Sequence, residues 1–167
     1  MTRGVGVIGG SVIVAATAMS WILLVEPERW KGLRFLVLVA GSVGLLLFLS
    51  ALAQVVRQRG NRSVTIRQQA LAIRAHWLLG VVVLLCLASL GLATAAGFAG
   101  PGAPVEELGV RYFDNHGTRT LATATEWMRA HAWLYLFGCV FAAMAAYNAT
   151  CLFGILDGTA VSAHGED

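Results

Sequence analysis

The apolar positions of this chain neither alternate nor recur at helical spacing; they run on without interruption. Val5–Val25 contains no charged residue in 21 positions, Phe35–Val56 none in 22, Trp77–Ala99 none in 23 and Ala132–Leu156 none in 25. About 20 helical residues cross the roughly 30 Å hydrocarbon layer of a bilayer. A helix also satisfies its own backbone N–H and C=O groups where no water can reach them. The predicted fold is therefore all-α, a polytopic membrane protein with four transmembrane helices at about 5–25, 35–56, 77–99 and 132–156. These form one domain over 1–167, with a basic loop at 57–76, an ordered external loop at 100–130 and a tail at 157–167.

The first run has a signal-peptide alternative, with Arg3 as a basic start and Ala16-Thr17-Ala18 as a small-x-small site. The run continues through Trp21, Ile22, Leu23, Leu24 and Val25, which suits an anchor better than a cleaved leader. Composition agrees with lipid as the solvent. Of 167 residues 57% are apolar and only 13% charged, whereas about a quarter of a soluble domain is charged.

Charge then orients the helices. Loop 57–76 carries Arg57, Arg59, Arg62, Arg67 and Arg74 and no acid, while 26–32 balances Glu26 and Glu28 against Arg29 and Lys31. The loop at 100–130 mixes Glu106, Glu107, Asp114 and Glu126 with Arg111, Arg119 and Arg129. The excess of Arg and Lys marks the cytoplasmic side, so loop 57–76 and both termini are expected there, in a plasma (inner) membrane. The five arginines are expected to meet anionic lipid headgroups; the basic pI calls for no nucleic acid. Eleven arginines to one lysine, with abundant Ala and Gly, suggest a bacterial source.

Between the spans, local signals are sparse. Thr65 with Gln68 fits a capping box, so a helix is expected from near Thr65 into the third span. Pro104 followed by Glu106 and Glu107 reads as the first turn of a short helix. Asp114-Asn115-His116-Gly117 is turn chemistry. Thr123 with Glu126 is a second capping box, so the fourth helix is expected to start above the lipid. The polar tail is expected to be disordered. Within the spans, Gly6 and Gly10, Ala40 and Gly44, Gly91 and Ala95, Ala93 and Gly97, and Ala142, Ala146 and Ala149 define small-residue faces for close helix contact. Cys86, Cys139 and Cys151 form no C-x-x-C and read as buried filler.

The candidate chemistry lies in the histidines. RAHWLLG at 74–80 and RAHAWLY at 129–135 share an opening. In Arg74, His76 and Trp77 the first resembles the start of the haem-carrying helices of membrane cytochromes b, with the arginine one place nearer than in R-x-x-H-W. The resemblance implies haem b with His76 as an iron ligand. His76 begins the third helix and His131 the fourth, so the two are expected near opposite surfaces, where they cannot share one iron. The other reading makes RAH-W an entry point, with arginine at phosphate and histidine and tryptophan at the headgroups. Trp30, Trp77, Trp127 and Trp133 would then form an aromatic belt. Glu106, Glu107, Asp114 and His116 match no zinc or copper spacing, so no metal is expected. Asn148 is the most polar point in the spans and is expected to bond another helix. No Asp, Glu, Lys or Arg interrupts the spans, which argues against ion-coupled transport and intramembrane catalysis. The chain is thus expected to be a non-catalytic integral membrane subunit that assembles with other transmembrane subunits in a larger complex, the respiratory complexes being one type. No cofactor is expected. The alternatives are a haem b- or quinone-binding electron-transfer protein and a homo-oligomeric pore with a path near Asn148.

Overall fold

The computed structural model describes residues 2–58 and 76–163. Four long helices dominate: α1 (Thr2–Val25), α2 (Trp30–Gln58), α3 (Trp77–Ala95) and α4 (Ala124–Ala163). All four are long and apolar enough to cross a membrane. A short 3₁₀ turn, Pro27–Arg29, joins α1 to α2. The helix expected from Thr65 lies outside the described residues.

The all-α expectation needs one correction. Between α3 and α4 the chain forms a three-stranded antiparallel meander of β1 (Ala103–Glu107), β2 (Val110–Asn115) and β3 (Thr118–Leu121). The short helix expected at Pro104–Glu107 is strand β1 instead. Two tight turns decide this. Glu107 pairs with Val110 and Asn115 with Thr118, leaving two-residue loops at Leu108-Gly109 and His116-Gly117. All four loop residues have positive φ, the backbone of a primed turn, whose twist matches that of the strands it joins. The D-N-H-G turn is present, with His116 rather than Asn115 taking the left-handed conformation. Asp114 steadies it by accepting a hydrogen bond from the Gly117 N–H at 2.8 Å.

The second capping box forms as expected. The Thr123 hydroxyl accepts from the Glu126 N–H at 3.2 Å, and the Glu126 carboxylate accepts from the Thr123 N–H at 2.9 Å. These bonds satisfy donors that the first turn of α4 would otherwise leave unpaired. At the other end α4 runs on to Ala163, so the first residues of the tail expected to be disordered are helical.

Helix α4 is the hub, packing on α1, α2, α3 and the first two strands, while α1 also touches α2 and α3. Its core face is an alanine run, with Ala142, Ala143, Ala146 and Ala149 fully buried. Small side chains let the neighbouring backbones come close, and van der Waals contact then supplies the cohesion that the hydrophobic effect cannot supply in lipid. A Cβ on Gly44 would sit 2.9 Å from the Ala142 carbonyl oxygen, and one on Gly80 3.1 Å from the Tyr147 hydroxyl. On α1 the position against α4 is Gly9, facing Thr150, rather than the expected Gly6. The α1 core face of Ile13, Ala16, Met19 and Leu23 recurs every three or four residues, and that rotation leaves Gly6 with open space around it. Likewise α3 turns Val83, Cys86, Ser89 and Ala93 inward, not Gly91. All three cysteines are buried and unbridged.

Candidate functional site

The end of α1, the start of α2, the end of α3 and the start of α4 converge beneath the β-meander, and the only aromatic cluster with a histidine among the described residues sits there. Trp30 opens α2, and Trp127, His131 and Tyr135 lie four apart on one face of α4. The His131 ring stacks on Trp30 with centroids 4.5 Å apart and lies 3.9 Å from Trp127; Trp30 in turn stacks on Tyr135 at 5.7 Å. His131 Nδ1 is 3.0 Å from the Trp127 carbonyl oxygen. A carbonyl only accepts, so Nδ1 carries the proton, and in the neutral ring Nε2 is an acceptor.

The meander is tied to this cluster. Trp127 Nε1 donates to the Val105 carbonyl at 3.2 Å. The Arg111 guanidinium lies 5.2 Å over the Trp127 ring and 3.6 Å from Glu106, its directly opposite neighbour in the sheet. Trp30 Nε1 and Arg111 Nε are both buried without a hydrogen bond among the described residues. On the other face of the sheet Arg119 pairs with Glu107 at 3.1 Å and covers the Tyr112 ring at 4.6 Å. The Tyr112 hydroxyl and Arg119 beside it hold the Glu107 carboxyl below its ordinary value.

Below the cluster an apolar groove of about 540 Å³ runs between α2 and α4. His131 and Tyr135 line one end, Leu45 and Phe141 the other, with Gly41 and Gly138 between. No Lys, Arg, Asp or Glu lines it.

The second RAH motif therefore builds the interior of this end of the bundle. Trp30 and Trp127 are buried, not arrayed at the surface as a belt. Arg129 lies over Phe98 and Trp133 Nε1 donates to the Thr94 hydroxyl at 3.0 Å, so both tie α4 to the end of α3. In the first motif, Trp77 is exposed and His76 half-buried at the start of α3. The 19 residues of α3 separate His76 from the meander end by about 28 Å at 1.5 Å per residue. The two histidines are thus not brought together. Among the described residues no three His, Cys, Asp or Glu side chains converge as metal ligands. Asn148 bonds its own helix, donating to the Met144 carbonyl at 2.8 Å, and faces outward. Arg57 is exposed at the end of α2; Arg59, Arg62, Arg67 and Arg74 lie outside the described residues.

Sequence reasoning missed the pairing of Trp30 with His131 and the groove beside it. The two x-Gly turns eight residues apart, Leu108-Gly109 and His116-Gly117, were the available signal for the meander. Nothing in the sequence marks which helices flank α4.

Among the described residues the architecture is four helices long and apolar enough to cross a membrane, compatible with a multi-pass membrane protein, with a small β-meander between α3 and α4. No protein-family model matches the chain, and neither the curated proteins nor the solved structures offer a significant match.

Proposed function

We propose that this protein is a non-catalytic integral membrane subunit that packs with other transmembrane chains in a larger complex, its termini cytoplasmic and its meander outside. One observation carries the reading: the apolar surface of the meander. Leu108 is fully exposed at a hairpin tip with φ 51°, and Leu121 and Val110 are exposed on the same small sheet. Non-glycine residues take positive φ at a cost, least for Asn and Asp. Leucine at that corner adds nothing to the fold of its own chain, but it offers an anchor to another. Strand β3 is an edge of the same sheet, a ready template for a neighbour. Asn148 adds support, since an outward amide inside a spanning helix is better placed against a partner helix than against acyl chains.

Affinity purification from native membranes in mild detergent, with quantitative mass spectrometry, tests the reading. A fixed set of other membrane chains should come through in stoichiometric amount. The pair Leu108→Asn with Leu121→Thr should release them while leaving the helices folded. Recovery of the protein alone refutes the proposal.

A further inference from the structure

We propose that the groove between α2 and α4 binds an isoprenoid hydroquinone, with its ring at His131 and Tyr135 and its tail along Gly41 and Gly138. This stands apart from the assembly reading and needs no partner chain.

Size bears first on the occupant. From His131 to Phe141 the groove covers eleven positions of α4, about 15 Å of rise. The observed volume of about 540 Å³ falls in the range of small-molecule sites. Gly41 leaves it open, since a Cβ there would meet nothing within 4 Å, while Gly138 lets Val37 of α2 pack close, 3.0 Å from where its Cβ would lie. The space is long, narrow and apolar, the shape of a chain.

Polarity then selects the head. Apart from the Ser42 hydroxyl beside Gly41, the polar lining gathers at the meander end, where His131 Nε2 accepts and the Tyr135 hydroxyl can donate or accept. A phospholipid would bring a phosphate, and no cation lines the groove to receive it. A hydroquinone brings uncharged hydroxyls, one of which can donate to Nε2, and a flat ring. The stacked column of Trp30, His131 and Tyr135 offers that ring aromatic neighbours. Trp30 keeps a buried donor without a partner beside both polar lining residues.

The test uses the full-length protein in phosphatidylcholine nanodiscs, titrated with a ubiquinol of two isoprene units kept reduced by dithionite. Trp30 and Trp127 both contact His131, so tryptophan emission reports occupancy. Saturable quenching is expected. Gly41→Leu, which fills the groove where the chain leaves open space, should weaken binding tenfold or more. His131→Ala adds no bulk and should weaken it roughly five- to tenfold, the worth of one hydrogen bond. Leu46→Phe, on an exposed position of α2 outside the groove, should leave it unchanged; circular dichroism verifies the helices of each variant. Quenching that does not saturate, or that is the same in Gly41→Leu and His131→Ala as in wild type, overturns the proposal. So does loss of the signal in nanodiscs made one-third phosphatidylethanolamine, which would make the groove a site for that lipid.

Discussion

Replacing Gly44 by alanine tests the packing of α2 on α4, with Gly41→Ala as its matched control three residues earlier on the same helix. In both variants alanine should gain roughly 0.5–1 kcal/mol of backbone conformational entropy over glycine in a helix. They differ in what the new methyl meets. At Gly41 it enters open space. At Gly44 it would lie 2.9 Å from the Ala142 carbonyl oxygen and 3.5 Å from the Ala142 Cα, all backbone atoms of α4. Ordinary contact would require the two helices to separate by about half an ångström, loosening the packing of Val37 and Ala40 of α2 against α4 beside it. Overpacking of this kind typically costs about 1–3 kcal/mol. Gly41→Ala should thus be neutral or slightly stabilising, and Gly44→Ala less stable than it by about 1–3 kcal/mol. The assay is unfolding in dodecyl maltoside by rising mole fraction of sodium dodecyl sulfate, followed by circular dichroism. Equal stability of the two variants would refute close α2–α4 approach at Ala142, and with it the position of the groove.

Four further outcomes follow from the same geometry. Trp127→Phe keeps the ring but removes the donor to the Val105 carbonyl, so the meander should lose about 0.5–1.5 kcal/mol of local stability, read as faster hydrogen exchange over 103–121. Thr123→Ala removes the hydroxyl that accepts from the Glu126 N–H, keeps the backbone donor to the Glu126 carboxylate, and should cost about 1 kcal/mol, with increased exchange confined to the first turn of α4. Leu108→Asn relieves the left-handed leucine and should leave the isolated protein as stable or more so, by up to about 1 kcal/mol in the unfolding assay. Glu107, whose carboxyl lies below 4.5 in the fold, stabilises the meander above that pH; amide protection there should hold from pH 7 to 5, decline as pH falls through the folded value, and lose that acid limb in Glu107→Gln.

How much of this was legible in the chain differs by element. The four helices follow from the sequence because charge-free runs of 21 to 25 residues have one physical solution in hydrocarbon, where each backbone must bond to itself. The Thr123–Glu126 cap was equally legible, since both halves of it lie three residues apart. The meander was half legible: the turn at 114–117 shows in its residues, but Pro104-Val105-Glu106-Glu107 has a plausible helical start, and only pairing with Val110–Asp114 makes it a strand. The groove was not legible at all. Gly41 looks like Gly6, Gly10 or Gly91 in the sequence, and what distinguishes it is the rotation of α2 and its neighbour across the gap. The same holds for His131. Its motif repeats that of His76, yet one ring lies between two indoles and the other stands at the far end of α3. The sequence by itself determined that four segments are long and apolar enough to cross a membrane, because transfer into lipid acts on each segment independently. Which small residues touch, which leave a space, and which histidine is enclosed were decided only in the tertiary structure, because those properties belong to pairs of helices and depend on rotations that no single segment fixes.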